Sequence, residues 1–363
     1  MTITALREEL RDALSIAERF SGKQLSLPVV GNVLLKAESQ KLRIQSTNLE
    51  TGLEIVIPAK VTKEGSVTVP PRILLSLLQT LPDLAINLEE RKNSVVVETD
   101  SSKTEIRGIS ASEFPIMPTI KAKSTLSVPN QAFIRQLTRV IPAISQSDFK
   151  PEISGMLLKT EKKHLVLVGT DTFRLVEARI EDYKVSDEIS VIIPIRALQE
   201  LLRLTDPEGE TAFKISGEQV MIETGPVRMI TRLMSGRYPE YQALIPKDFS
   251  ATVRVARGEV MASVRLASAF ASKLHDVILH YRPGHFAVEI VNPETGNHQR
   301  EIKASVSGKA GKVAFNHRYL SDAIEAPDAP EVVLHITDET RPALIRDEVD
   351  SSFFTILMPL RVS

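Results

Sequence analysis

The sequence repeats itself three times, and that limits what it can fold into more than any motif does. The chain has 363 residues, and a third of that is 121. Asn32-Val33-Leu34-Leu35-Lys36 returns as Gly155-Met156-Leu157-Leu158-Lys159, 123 residues later, and Thr47-Asn48 returns as Thr170-Asp171 at the same offset. Val69-Pro70-Pro71-Arg72-Ile73-Leu74 returns as Ile193-Pro194-Ile195-Arg196-Ala197-Leu198 at 124, as does Glu113-Phe114-Pro115 as Arg237-Tyr238-Pro239. A fainter third copy places Val277-Ile278-Leu279 and Asn292 121 residues after their counterparts, and Phe315 to Leu320 122 after the Ile193 block. Several matches in one order at nearly one offset are not chance.

Each copy carries the same pattern of elements. An edge strand opens it, at Ile3-Thr4, Leu126-Ser127-Val128 and Thr252-Val253-Arg254. An amphipathic helix follows: Leu6, Leu10, Ala13, Leu14 and Ala17 share one face, as do Phe133, Leu137, Val140 and Ile141, then Val260, Val264 and Ala267. Alternating strands come next, such as Lys41–Gln45 and Leu165–Val168. A strand then leads into a second helix at Arg72–Leu81, Ile195–Leu204 and His317–Ala326, with proline at the junction in the first two copies. Ser94–Glu98, Gln219–Glu223 and Phe353–Leu357 read as closing strands. The expected class is α+β: three tandem domains of two helices and mostly antiparallel strands, over 1–122, 123–248 and 249–363. About 120 residues suffice for an independent core. With aromatics at 5%, those cores must be built from Val, Ile and Leu.

Composition excludes several classes. No apolar run approaches the roughly 18–20 residues of a membrane-spanning helix. Met1 to Leu10 has no apolar signal core, and neither Cys nor an Asn-x-Ser/Thr acceptor occurs, which points to a cytoplasmic protein without disulfides or thiol chemistry. The 45 basic and 46 acidic residues nearly cancel, so binding to nucleic acid would need the basic ones gathered on one face.

The arginine at the start of the second helix is common to all three copies: Arg72, Arg196 and Arg318. Arg203 lies one heptad after Arg196, and Arg135 and Arg139 stand four apart on the first helix of the middle copy. Like charges at that spacing repel, so an anionic partner explains them better than helix stability does. For any single arginine a solvated face or a local ion pair, such as Arg196 with Glu200, is the ordinary reading. The repeated set points to a phosphate-facing surface.

Read together, Leu27 to Leu35, Ser154 to Leu158, Thr170-Asp171-Thr172-Phe173-Arg174-Leu175, Gly236 to Tyr241, Leu244-Ile245-Pro246 and Met358 to Arg361 resemble the bacterial replication sliding clamp family, the beta subunit of DNA polymerase III. The resemblance covers the whole chain. It implies three DNA-clamp domains forming half of a closed ring, a head-to-tail homodimer around duplex DNA without sequence preference. The partners implied are the replicative polymerase, the clamp loader, and other polymerases and repair proteins, but no membrane. It places Lys23, Gln24 and Lys150 toward DNA with the helix arginines. Gln24 and Ser147 stand where the family often has arginine and glutamine.

The resemblance also implies a peptide groove at Ile153, Thr170, Thr172, Arg174, Leu175, Pro239, Leu244, Thr340, Pro342, Met358, Pro359, Leu360 and Arg361. Thr172, Phe173 and Ala243 replace the family's commoner glycine, histidine and arginine there. The implied dimer contact joins Thr104 and Ile106 of one copy to Leu266, Ala269 and Phe270 of the other, with Phe270 open to a second reading as ordinary core.

An enzyme is the main competitor. No phosphate loop, nucleophile elbow or His-Glu-x-x-His pair occurs. Six of the seven histidines, His275, His280, His285, His298, His317 and His335, fall in the third copy at no ligand spacing, so neither metal nor cofactor is expected. Asp171 recurs as Asn48 and Asn292, a turn signature rather than a catalytic carboxylate. A scaffold that binds only proteins is the second competitor, opposed by the repeated arginines.

Overall fold

The computed structural model describes every residue except 23–26, 83, 100–101, 148, 184–186, 271–273 and 362–363. Among the described residues are six α-helices: α1 (Arg7–Arg19), α2 (Pro71–Thr80), α3 (Asn130–Val140), α4 (Ile195–Leu204), α5 (Arg257–Ser268) and α6 (His317–Glu325). Two fall in each copy, where the apolar spacing places them. Leu10, Ala13, Leu14 and Ala17 are the buried stripe of α1, whereas Leu6 precedes the helix and is exposed. Phe133, Leu137 and Val140 of α3, and Val260, Val264 and Ala267 of α5, are buried.

The chain forms two compact units. The first comprises Met1–Gln131 with Arg203–Leu233, the second Ala132–Leu202 with Met234–Ser363. Each holds two antiparallel sheets. In the first unit a five-stranded sheet runs Lys60–Lys63, Thr2–Leu6, Ala85–Arg91, Ser94–Glu98, Lys103–Arg107. Its eight-stranded companion crosses from the first copy into the middle one where Thr51–Pro58 pairs with Val227–Arg232, Ile55 opposite Val227 and Thr51 opposite Thr231.

In the second unit a nine-stranded sheet crosses from the middle copy into the third, where Arg174–Ile180 pairs with Phe353–Leu357. A four-stranded sheet completes it, in the order Gly296–Ile302, His285–Asn292, Asp276–Arg282, Gly311–Asn316. Sheets that run from copy to copy pair strand edges that would otherwise be open to other chains.

The opening strands correct one expectation. Only Ser124–Pro129 is an edge; Thr2–Leu6 and Ala251–Ala256 each have a neighbour on both sides. The short strands Lys60–Lys63 and Ala304–Gly308 take those edges instead; the first offers only Val61 as an apolar residue, and the second alternates Ala304 and Val306, which lean on the core, with serines. Cores are aliphatic as composition requires, with Phe133, Phe213, Phe286 and Phe315 the largest fully buried rings.

Candidate nucleic-acid and partner interfaces

Arg72, Arg196 and Arg318 are each the second residue of their helix, and all three are exposed. A helix N-terminus carries the positive end of the macrodipole, so a cation there costs roughly 0.3–1 kcal/mol rather than stabilising. Three repeats of an unfavourable placement concentrate positive potential at three helix starts. Arg72 is held by Glu18 of α1, Nε to Oε1 2.7 Å, with its own side chain 74% exposed. Arg203, near the end of α4, and Lys150 are exposed as well. Lys23 and Gln24 lie outside the described residues.

Arg139 does not belong to that set. Its side chain is buried, and its guanidinium donates to Asp350, Asp328, the Gln136 side chain and the Ala326 carbonyl. It also lies 3.9 Å from the centre of the Phe353 ring. Arg135 donates to the same two aspartates at 2.7–2.8 Å. The anion that justifies two arginines four residues apart is thus in this chain. Burial alone would raise the Asp350 carboxyl; hydrogen bonds from Ser352 and the Arg139 guanidinium outweigh it and hold it below the usual carboxylate range. Phosphate cannot reach Arg139 without displacing this network, and Arg135 is committed to it too.

The residues expected to form a peptide groove all lie in the second unit. Leu175 belongs to an apolar cluster with Leu157, Val166, Val168, Ile192, Tyr238, Tyr241, Leu344 and Ile356. Ile153 and Thr170 are also buried, so these form a floor rather than a surface. Tyr241 is anchored beneath by a hydrogen bond to Glu177, and burial pushes its hydroxyl far above the usual range. Above this floor Phe173, Leu244 and Met358 are exposed, and the Met358 N–H donates to the Phe173 carbonyl at 2.8 Å. Thr172, Pro239, Thr340 and Arg361 are exposed, while Pro342, Pro359 and Leu360 are half-buried.

Arg174 is fixed from four sides. Its Nε lies 3.0 Å from Asp171 Oδ2, other guanidinium nitrogens donate to Asp322 and the Pro142 carbonyl, and Tyr319 stacks at 4.2 Å. The turn before it is the repeated one. Asp171 Oδ1 accepts from the Phe173 and Arg174 N–H groups, as Asn48 Oδ1 does from those of Glu50 and Thr51, and Asn292 Oδ1 accepts from Glu294. The shared amide-or-carboxylate position is therefore a turn former.

Models of the DNA polymerase III beta subunit match the chain from end to end: the N-terminal domain over residues 1–118, the central domain over 127–240 and the C-terminal domain over 242–361. This chain belongs to the DNA polymerase III beta subunit family. The beta sliding clamp of Synechococcus elongatus is 26% identical over 373 residues, covering all of both chains. That of Staphylococcus aureus is 24% identical over 99% of each. Among solved structures, a sliding clamp from Pseudomonas aeruginosa bound to griselimycin superposes with a TM-score of 0.95 and a beta subunit from Thermotoga maritima with 0.92, both 24% identical over the full length of each chain.

In this chain the expected dimer contacts separate into two kinds. Leu266 is 52% exposed on α5, and Ala269 just beyond it is exposed. Thr104 is half-buried on the edge strand Lys103–Arg107. Ile106, on the same strand, is instead buried within its own unit, because it stands opposite Val95 on the inward face. Phe270 is half-buried against the C-terminal core and stacks on His298 at 6.0 Å, so it joins core and surface. Among the described residues no group of three His, Cys, Asp or Glu side chains is placed to hold a metal. Sequence reasoning missed Asp328, Asp350 and Asp322, which sit in loops or on a helix far along the chain from the arginines they bind.

Proposed function

We propose that this chain is a DNA sliding clamp, a processivity subunit rather than an enzyme. Two copies close head to tail around duplex DNA and tether the replicative polymerase, other polymerases and repair proteins through a short peptide; the clamp loader uses the same groove. Cytoplasmic DNA is its place of work. The observation that carries this reading is the exposed arginine at the second residue of the second helix in every copy. Those side chains add charge where the helix dipole is already positive, which suits a track of phosphates and offers no base-edge readout. Sliding needs such sequence-blind contacts, and retention then comes from enclosure. The exposed edges of strands Lys103–Arg107 and Gly296–Ile302 support closure by edge-to-edge pairing between two copies.

Loading on nicked circular DNA tests this directly. The clamp is expected to stay on the circle and run off once the DNA is linearised. The triple variant R72Q/R196Q/R318Q is expected to remain dimeric while the salt dependence of its loading flattens, by about 0.9 in log–log slope for each phosphate no longer neutralised. Equal dissociation from circle and linear DNA overturns the ring.

A further inference from the structure

The segment that follows the last strand, Met358 to Arg361, has different neighbours at its two ends. The Met358 N–H donates to the Phe173 carbonyl, and two residues on the Leu360 N–H donates to the Ala314 carbonyl, both at 2.8 Å. Leu360 thereby bridges to the free edge of Gly311–Asn316, the outer strand of the four-stranded sheet. Beside this bridge opens a cleft of about 230 Å³. Its floor is apolar: Ile278 and Ala314, directly opposite in register, and Leu360. Its rim is charged: Lys312, Arg361 and Glu339.

Lys312 stands two residues before Ala314 and so on the same face of the sheet. That face is the one turned from the core, since Val277, Leu279, Val313 and Phe315, the alternate residues, are buried. The turn carrying Glu339 and Thr340 is fixed in advance. Asp338 Oδ1 accepts from the N–H groups of Thr340 and Arg341 at 2.8 Å, and Oδ2 meets Arg341 Nε at 2.6 Å.

The geometry points to this cleft as a further subsite of the partner-peptide groove, one that takes an aliphatic side chain from the peptide's flank and pairs an adjacent carboxylate of the peptide with Lys312 and Arg361. The inference rests on the groove reading above. Continuity and charge identify the occupant. Thr340, Leu360 and Arg361 belong to both groove and cleft. Two extended residues span about 6.6 Å, so a peptide anchored at Phe173 and Met358 arrives at the cleft with its next residues. At this volume the cleft suits one side chain; sites for drug-sized ligands run to ~300–1,000 Å³. Two cations against one anion on the rim favour an acidic neighbour over a basic one.

The test uses the full chain and a fluorescein-labelled five-residue peptide core with leucine and phenylalanine anchors. The core is used bare, or extended at either end by Leu-Asp or by Leu-Lys, and binding is followed by anisotropy. The Leu-Asp extension at one end is expected to tighten binding about tenfold over the bare core, and Leu-Lys clearly less. K312E is expected to cancel the Leu-Asp gain while leaving the bare core's affinity unchanged, and I278D to remove the gain from both extensions. A bare core that binds while neither extension improves it overturns the subsite alone, as does a gain that survives K312E. A bare core that fails to bind overturns the groove reading and the subsite with it.

Discussion

Arg139 Nη1 lies 2.9 Å from Asp350 Oδ2, with the arginine side chain 4% exposed and the aspartate 15%. The pair closes a ring of charges, since Arg135 and Asp328 each bind both opposite partners. A buried guanidinium that loses the less exposed of its two carboxylates, with only Asp328 left, is costly, because water cannot take the place of the lost partner.

D350N should therefore destabilise the protein by about 3 kcal/mol at neutral pH, measured by urea unfolding. The pH dependence has a definite sign. The folded carboxyl sits below its ordinary value of about 3.9, so its contribution is complete above that value and disappears as pH falls through the lower folded one. The difference between wild type and D350N should be flat from about pH 5 to 8 and shrink below about pH 4. A variant as stable as wild type at pH 7 would show that the network adds nothing to stability.

Phe173 is 56% exposed and shares a backbone hydrogen bond with Met358. An exposed ring of that size contributes little to folding but is a natural anchor for a bound peptide. F173A should raise the dissociation constant of a clamp-binding peptide about tenfold, some 1.4 kcal/mol, with an unchanged melting temperature. Undiminished binding would place the anchors elsewhere.

Much of this was legible in the sequence because repetition supplies an internal comparison. Three copies of an arginine at one position, and three copies of an Asn or Asp at another, separate a shared role from local accident. Both proved uniform in the structure: Arg72, Arg196 and Arg318 all second in their helices, Asn48, Asp171 and Asn292 all accepting from the turn that follows. What escaped was non-local. Arg139 pairs with Asp350, 211 residues away, and no spacing rule on α3 contains that information. Likewise Ile106 sits on a charged edge strand, Lys-Thr-Glu-Ile-Arg, and only its register opposite Val95 shows that it faces inward.

Thr172 holds a φ of +77°, a region that a β-branched residue adopts at a cost of roughly 1–3 kcal/mol. Leu49, at the matching place in the first copy, has a φ of +75°, so the turn itself demands the conformation. T172G should stabilise the chain by about 1 kcal/mol in chemical denaturation, offset in part by the extra freedom of the unfolded glycine. A drop in stability would mean that packing of the threonine side chain outweighs its strain.

His335 accepts from Arg346 Nε at its own Nε2, 3.1 Å, so the neutral ring carries its proton on Nδ1 and donates to Thr252 Oγ1 at 3.1 Å. Phe249 stacks on it at 4.7 Å. Protonating Nε2 would set two N–H groups against each other. Burial first, then Arg346 and Arg254 against the opposing pull of Glu348, hold its titration below 6.5. The unfolded chain takes the proton first, so stability is full above about pH 6.5 and declines as pH falls toward the lower folded value. The melting temperature should drop between pH 7 and 5.5, and H335Q should flatten that part of the curve. An identical pH profile in the variant would move the effect to another group.

Leu266 and Ile106 offer a separation between assembly and folding. Leu266 is half exposed near the end of α5 and Ile106 is 3% exposed inside the first unit. Under the ring reading, a charge at Leu266 meets the partner copy but no core of its own. L266D should sediment as a single chain with its melting temperature nearly intact when measured below the dimer's dissociation concentration. I106D places a carboxylate against Val95 and should cost several kcal/mol through burial of an unpaired charge, whatever the oligomeric state. The same contrast decides function, since a folded single chain cannot enclose DNA. L266D should bind peptide normally yet fail to remain on nicked circles, and a variant that stays dimeric and loads normally would remove Leu266 from the interface.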